Sequence, residues 1–128
     1  MADSLIYKDL TYVIRGCLME VYNRLGPGFR EETYKRAMVE ELRLKGLSYS
    51  REQIIEIRYR DKLIDEYRLD LIVEGKVVLE LKAVGEMHPK FEAQLLSYLK
   101  ASELKVGFLV NFGSNDLYIK RLVNPHIE

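Results

Sequence analysis

Cysteine is nearly missing from this chain: Cys17 stands alone among 128 residues. No internal disulfide can form, which excludes a disulfide-stapled scaffold and makes a reducing compartment, the cytoplasm, the expected home. Histidine is almost as scarce. His88 and His126 lie far apart and lack the close spacing of a zinc site. No apolar run approaches the roughly 18 residues that a membrane span needs, so no membrane partner is expected. The stretch from Met1 to Asp9 is charged and lacks the apolar segment of a signal peptide. Repeats, low-complexity tracts and linkers are absent as well. Excess charge of either sign is also missing, because 20 basic residues balance 20 acidic ones. That balance counts against a protein holding nucleic acid by counterion release alone. It counts less against an enzyme whose acidic site is neutralised by metal ions, since the ions bring positive charge of their own.

What is present suits a packed core: 48% of residues are hydrophobic and 31% charged, so one domain over residues 1–128 is expected. From Asp9 to Leu25 the apolar residues fall on one helical stripe, including Val13, Ile14, Cys17, Leu18 and Val21. Gly26, Pro27 and Gly28 stop that helix. A second helix is predicted over Glu31–Lys45, with Tyr34, Ala37, Met38, Val39 and Leu42 inward and Gly46 as its cap. Strands follow around Ile54–Tyr59, Leu63–Val73 and Lys76–Ala83, separated by turns at Arg60–Lys62 and Glu74–Gly75. Pro89 suits the first turn of a third helix, reaching about Leu104 with Phe91, Leu95, Leu96, Leu99 and Leu104 buried. Lys105–Asn111 and Leu117–Val123 complete the strands. The order α-α-β-β-β-α-β-β predicts an α/β domain of the α+β kind, a mixed sheet with helices against it.

Three charges interrupt apolar strands: Asp70, Glu80 and Lys82. Such charges cost desolvation energy unless they are paired, liganded or exposed. Alternation puts Glu80 and Lys82 on one face. A two-residue loop at Glu74 and Gly75 would send Asp70 to the opposite face. A three-residue loop, a type I turn plus bulge with Gly75 left-handed, shifts the register by one. Then Arg68, Asp70, Ile72, Val78, Glu80 and Lys82 share a face. Leu69, Leu71, Val73, Val77, Leu79 and Leu81 form a wholly apolar one. The sequence favours the odd loop. Two carboxylates on one patch suit Mg²⁺ or Mn²⁺, hard cations that prefer oxygen ligands. A metal-bound water has a lowered pKa, and an adjacent lysine steadies a phosphate. An acid-x-base triplet alone is weak, since a solvated salt-bridged strand face would look the same. Asp70 ten residues earlier strengthens it.

Asp70, then Glu80 and Lys82 about a single residue, then Gln94 and Tyr98 on a helix together resemble the PD-(D/E)XK nuclease superfamily. Gly28, Glu31 and Tyr34 match the signature of its small GxxExxY group. The resemblance runs from about Thr11 to Val123. It implies the restriction-endonuclease-like αβββαβ core with an extra N-terminal helix. It also implies that Asp70 and Glu80 are metal ligands, Lys82 the catalytic lysine, and Glu31 an additional acid at the metal. Gln94 and Tyr98, four apart on one helix face, would both reach the site. Tyr67 to Asp70 lacks the proline of the namesake motif.

The function implied is Mg²⁺- or Mn²⁺-dependent hydrolysis of phosphodiester bonds in nucleic acid, DNA before RNA, with room for a homo-oligomer. The rival reading is a non-catalytic module that keeps the fold and binds nucleic acid or protein. Tyr34 and Tyr98 also read as core-edge aromatics, and Cys17 as a small core residue. Lys90, Lys100, Lys120, Arg121 and Arg68 read either as a basic rim or, more simply, as scattered solvated charges. Glu31 is expected to point toward Asp70 and Glu32 away from it, because adjacent helical residues diverge by roughly 100°.

Overall fold

The first helix, α1 (Lys8–Leu25), buries Thr11, Ile14, Cys17, Leu18 and Val21. These residues recur at three- and four-residue steps, and such a stripe is stable only when covered. Residues 6–126 are described by the computed structural model; the first five residues of the charged N-terminal stretch lie outside them. Gly26, at φ +67, ends α1 and returns its N–H to the Tyr22 carbonyl at 2.7 Å. The chain turns into α2 (Glu31–Leu44), which buries Tyr34, Lys35, Met38 and Leu42. Gly46, at φ +71, lets Leu47 N–H reach back to the Leu42 carbonyl at 3.0 Å, closing α2.

Five strands make one sheet in the order β1-β2-β3-β4-β5: β1 (Tyr49–Tyr59), β2 (Lys62–Val73), β3 (Val77–Lys82), β4 (Val106–Asn111) and β5 (Tyr118–Val123). Helix α3 (Pro89–Ser102) carries the chain from β3 to β4, the parallel pair; the other neighbours are antiparallel. A parallel pair needs such a crossover, whereas antiparallel pairs close with short turns. The predicted element order and the mixed sheet are both observed.

Helices α1 and α2 cover one face, where Leu71, Val73, Val77, Leu79, Leu81, Phe108 and Val110 pack with Ile14, Leu18, Tyr34 and Met38. Helix α3 covers the other, with Leu95, Tyr98 and Leu99 over Ile72, Val78, Leu109 and Leu122. Both faces are therefore buried over β3 and β4, whereas β1 and the first half of β2 are largely exposed.

Several expectations are corrected. Strand β1 begins at Tyr49, five residues before Ile54. Helix α3 stops at Ser102 because Glu103 turns left-handed at φ 62, so Leu104 lies beyond it. Leu96 is exposed; it sits about 100° round the helix from Leu95, off the Leu95–Leu99 stripe. The β2–β3 loop has the odd length predicted, with Val73 opposite Val77. Its turn differs: Glu74 and Gly75 both take positive φ, 55 and 64, and Lys76 is the extra residue. Lys76 N–H donates to the Val73 carbonyl at 2.9 Å, which makes a primed turn whose twist suits the strands. Leu69 is the other departure. It packs with Ile72 and Val78 beneath α3 instead of joining Leu71, because the alternation breaks at Asp70.

Two residues hold the far end of β3. The Asn111 side chain accepts from Val84 N–H at 3.0 Å and donates to the Val84 carbonyl at 2.9 Å, an amide clasp on the strand just past Lys82. Gly113 passes so close that an added Cβ would lie 2.4 Å from Val84 N and O. Tyr34 ties the opposite side: its hydroxyl donates to the Gly26 carbonyl at 2.6 Å and accepts from Phe29 N–H at 3.2 Å, while its ring stacks on Phe112 at 4.5 Å. The tyrosine of the Gly28–Tyr34 motif is thus a structural joint. Gly113→Ala is expected to cost about 1–3 kcal/mol, measured by urea denaturation, because backbone must shift to admit the methyl. Unchanged stability would contradict the close approach.

Candidate active site

The β2–β3 ladder runs from Val73 and Val77 through Ile72 and Val78 to Leu71 and Leu79, then ends. One further step sets Asp70 against Glu80. There side chains replace the backbone ladder: Asp70 N–H donates to Glu80 Oε1 at 3.2 Å, and Leu81 N–H donates to Asp70 Oδ2 at 2.8 Å. The carboxylates stand between the strands and hold them apart. On the other side of β2 the ladder also misses a step, since Arg51 faces Leu71 and Gln53 faces Leu69. The skipped residue is Glu52, left-handed at φ 55. Asp70 therefore lies where β2 is irregular on both sides, and this is why Leu69 changes face. The register is unchanged across this step, so Glu52 and Asp70 face each other as one unpaired step.

Lys35, from α2, reaches into this gap. Its Nζ lies 3.1 Å from Asp70 Oδ1 and 2.9 Å from Glu52 Oε2, and its side chain is 9% exposed. One turn earlier, Glu31 opens α2. Burial raises its pKa first and the charge of Asp70 second, while Lys82 and Lys35 oppose the rise. Glu32 belongs to a different surface, paired with Arg51 at 2.8 Å and Arg36 at 2.9 Å. The two neighbours diverge as expected.

Glu80 is 6% exposed. Burial, and then the charge of Asp70, pushes its carboxyl up to about 8; the Asp70 N–H and Lys82 pull the other way. Tyr98 lies close enough that Glu80 is the foremost charge acting on it, after burial, and its hydroxyl is raised too. Its ring meets Tyr67 at 5.4 Å. Lys82 extends along the same side, its Nζ 4.6 Å from the centre of the Phe91 ring on α3. Gln94 is exposed on α3. It lines a shallow pocket of about 250 Å³ with Ile57, Tyr67, Lys90, Ser97 and Tyr98, and neither the acids nor Lys82 line it.

The fold thus gathers Glu31, Asp70, Glu80 and Lys82, with Tyr98 beside them, whereas Gln94 shares only the pocket lined by Tyr98 and its ring neighbour Tyr67. The sequence reading missed Lys35 and Glu52. Lys35 had a signal, since it lies four residues from Glu31 on one helix face and interrupts the buried stripe of α2. Glu52 had none, because a glutamate gives no cue for a left-handed conformation. The basic rim does not form as a unit: Lys120 pairs with Glu92 at 3.1 Å, and Arg121 donates to the Ile6 carbonyl at 3.0 Å.

Does this set suit a divalent cation? Four carboxylates against two ammonium groups leave a formal charge of −2, and every acidic donor is a hard oxygen. Glu31 and Glu80 are elevated by burial first and by the charge of Asp70 second. The chemistry fits. The arrangement is not a finished ligand set, however. Among the described residues no three His, Cys, Asp or Glu side chains converge as a metal group, because Asp70 is turned toward Lys35 and Leu81 N–H.

Residues 8–122 match the model of the PD-(D/E)XK nuclease superfamily, and the chain belongs to that family. The crystal structure of SSO0001 is similar in fold, with a TM-score of 0.53 and 20% identity over 73% of this chain and 50% of that one. The chain spans about half the length of that protein. No curated protein matches the sequence. No helix among the described residues is long and apolar enough to cross a membrane.

The raised Glu80 couples stability to pH. A carboxyl whose folded pKa lies above its unfolded value favours the fold when protonated, so its contribution is complete below about pH 4.5 and is lost as pH rises through about 8. The metal-free protein is expected to melt at progressively lower temperature across that window, with Glu80→Gln removing most of the slope. Thermal melting in chelator reads this directly; a slope unaffected by Glu80→Gln would contradict the assignment.

Proposed function

We propose that this chain is a divalent-metal-dependent nuclease of the GxxExxY group, hydrolysing phosphodiester bonds in nucleic acid, DNA before RNA, in a reducing cytoplasm. The observation that carries the reading is the Asp70–Glu80 carboxylate pair at the parting of β2 and β3, with Lys82 two residues on. Mg²⁺ or Mn²⁺ would be held by Asp70 and Glu80 with Glu31 as the additional acid, and would supply Lewis-acid polarisation of the phosphate and an acidified water. The protein's own groups do the rest. Lys82 faces the nucleophile as a point charge and steadies negative charge on the phosphate. Tyr98 fills the space beside Glu80 and limits water there. Gln94 and Lys90, on the pocket rim, are positioned to meet a sugar-phosphate backbone.

One observation favours a second reading. Lys35 already neutralises Asp70 at 3.1 Å, as it would in a module that keeps the fold for binding alone. A cleavage screen over single-stranded, double-stranded and branched nucleic acids with Mn²⁺ separates the two readings. Cutting is expected, and Lys82→Ala is expected to lower it by about 100-fold or more while the melting temperature still rises with Mn²⁺. Asp70→Asn is expected to abolish both cutting and the Mn²⁺ response. It should also lower metal-free stability by about 1–3 kcal/mol, since Asp70 bonds Lys35 and Leu81 N–H. Wild-type protein that cuts nothing and ignores metal would support the binding module.

A further inference from the structure

Lys35 is a charged side chain buried in the stripe of α2 that packs on the sheet. An ammonium in such a place is costly unless it is paired on several sides. It is paired twice, and the two partners differ in kind. Asp70 is enclosed, with a side chain 14% exposed; Glu52 is half open to solvent at 43%. Glu52 also occupies a left-handed conformation, φ 55, that non-glycine residues rarely adopt. That backbone places its carboxylate on Lys35 at the step opposite Asp70. Charges facing the ammonium are thus Asp70 from β2 and Glu52 from β1, with Glu31 one turn away on α2 close enough to register Lys35's charge.

A cation bound by Asp70 and Lys35 on Asp70 Oδ1 compete for the same negative charge, and two positive centres a few ångströms apart repel strongly in a buried site. The ammonium need not leave the protein to yield, because its second partner stays in place. We propose that Lys35 is a tethered counter-ion that a divalent cation displaces from Asp70 onto Glu52, so that the Lys35–Glu52 pair sets the metal affinity of the site. The inference rests on the metal-dependent reading above. Lys35 is a positioning residue in this scheme and touches neither substrate nor reacting atoms.

Titration calorimetry with Mn²⁺ alone, on wild type, Lys35→Met, Glu52→Gln and the double variant, tests it without any activity assay. Lys35→Met is expected to bind Mn²⁺ about tenfold more tightly, while its metal-free melting temperature falls. Glu52→Gln is expected to bind more weakly, by about three- to tenfold, since Lys35 then rests on Asp70 alone. In the Lys35→Met background the Glu52 change is expected to alter affinity by less than about twofold, because Glu52 acts through Lys35. Wild-type binding that Lys35→Met leaves unchanged or weakens overturns the inference and leaves the nuclease reading standing. Binding gained only when Lys35 is removed overturns the inference, because the ion then fails to displace Lys35, and overturns the metal-dependent activity of the natural protein with it. No binding in wild type or Lys35→Met overturns both. Should Lys35→Met fail to fold, Glu52→Gln decides, at a half-open position: weaker binding supports the displacement, and unchanged or tighter binding overturns it.

Discussion

Two carboxylates, Asp70 and Glu80, occupy the place where a backbone ladder would otherwise continue. The surrounding arrangement answers to that single constraint. A strand pair that ended on unsatisfied N–H groups would be penalised by their desolvation, and here each carboxylate accepts an N–H from across the gap. The acids themselves then need compensation. Lys35 supplies part of it at Asp70, while burial and the charge of Asp70 keep Glu80 elevated. The gap is at once a structural joint and a store of negative charge.

The rest of the fold delivers groups to that joint. Tyr34, bonded to Gly26 and Phe29 and stacked on Phe112, fixes the entry of α2, and Glu31 and Lys35 arrive with it. The crossover through α3 brings Phe91 under Lys82 and Tyr98 beside Glu80. Asn111 and Gly113 hold the end of β3 against β4 just beyond Lys82. Glu31, Asp70 and Glu80 come from three elements, and none of them reaches the joint without packing on both sheet faces. A wider groove of about 500 Å³ between α1 and α2, lined by Tyr12, Gly16, Glu20 and Leu44, holds none of these acids.

Much of this was legible in the residues because alternation in a buried strand is unforgiving. One register leaves Leu71, Val73, Val77, Leu79 and Leu81 on a common face, and only a three-residue loop provides it. The same logic over-reached at Leu69, because it assumed that alternation continued through Asp70. Nothing in the sequence announces a left-handed glutamate opposite Asp70. Lys35 shows a different limit: a lysine within an amphipathic helix reads as solvated, and its burial depends on partners contributed by β1 and β2, 17 and 35 residues further on. Gln94 was placed correctly on its helix and is exposed there. Leu96 failed because it is apolar but lies off the buried Leu95–Leu99 stripe.

The proposed metal site requires Glu80, which burial holds up to about 8, to give up its proton when a divalent cation binds. Proton counting during metal binding tests this most directly, using Mn²⁺ titrations near pH 7 in buffers of different ionisation enthalpy. With Glu80 held up to about 8 before binding and ionised as a ligand afterwards, about one proton should be released per ion bound. Mn²⁺ binding that releases no proton would contradict the claim.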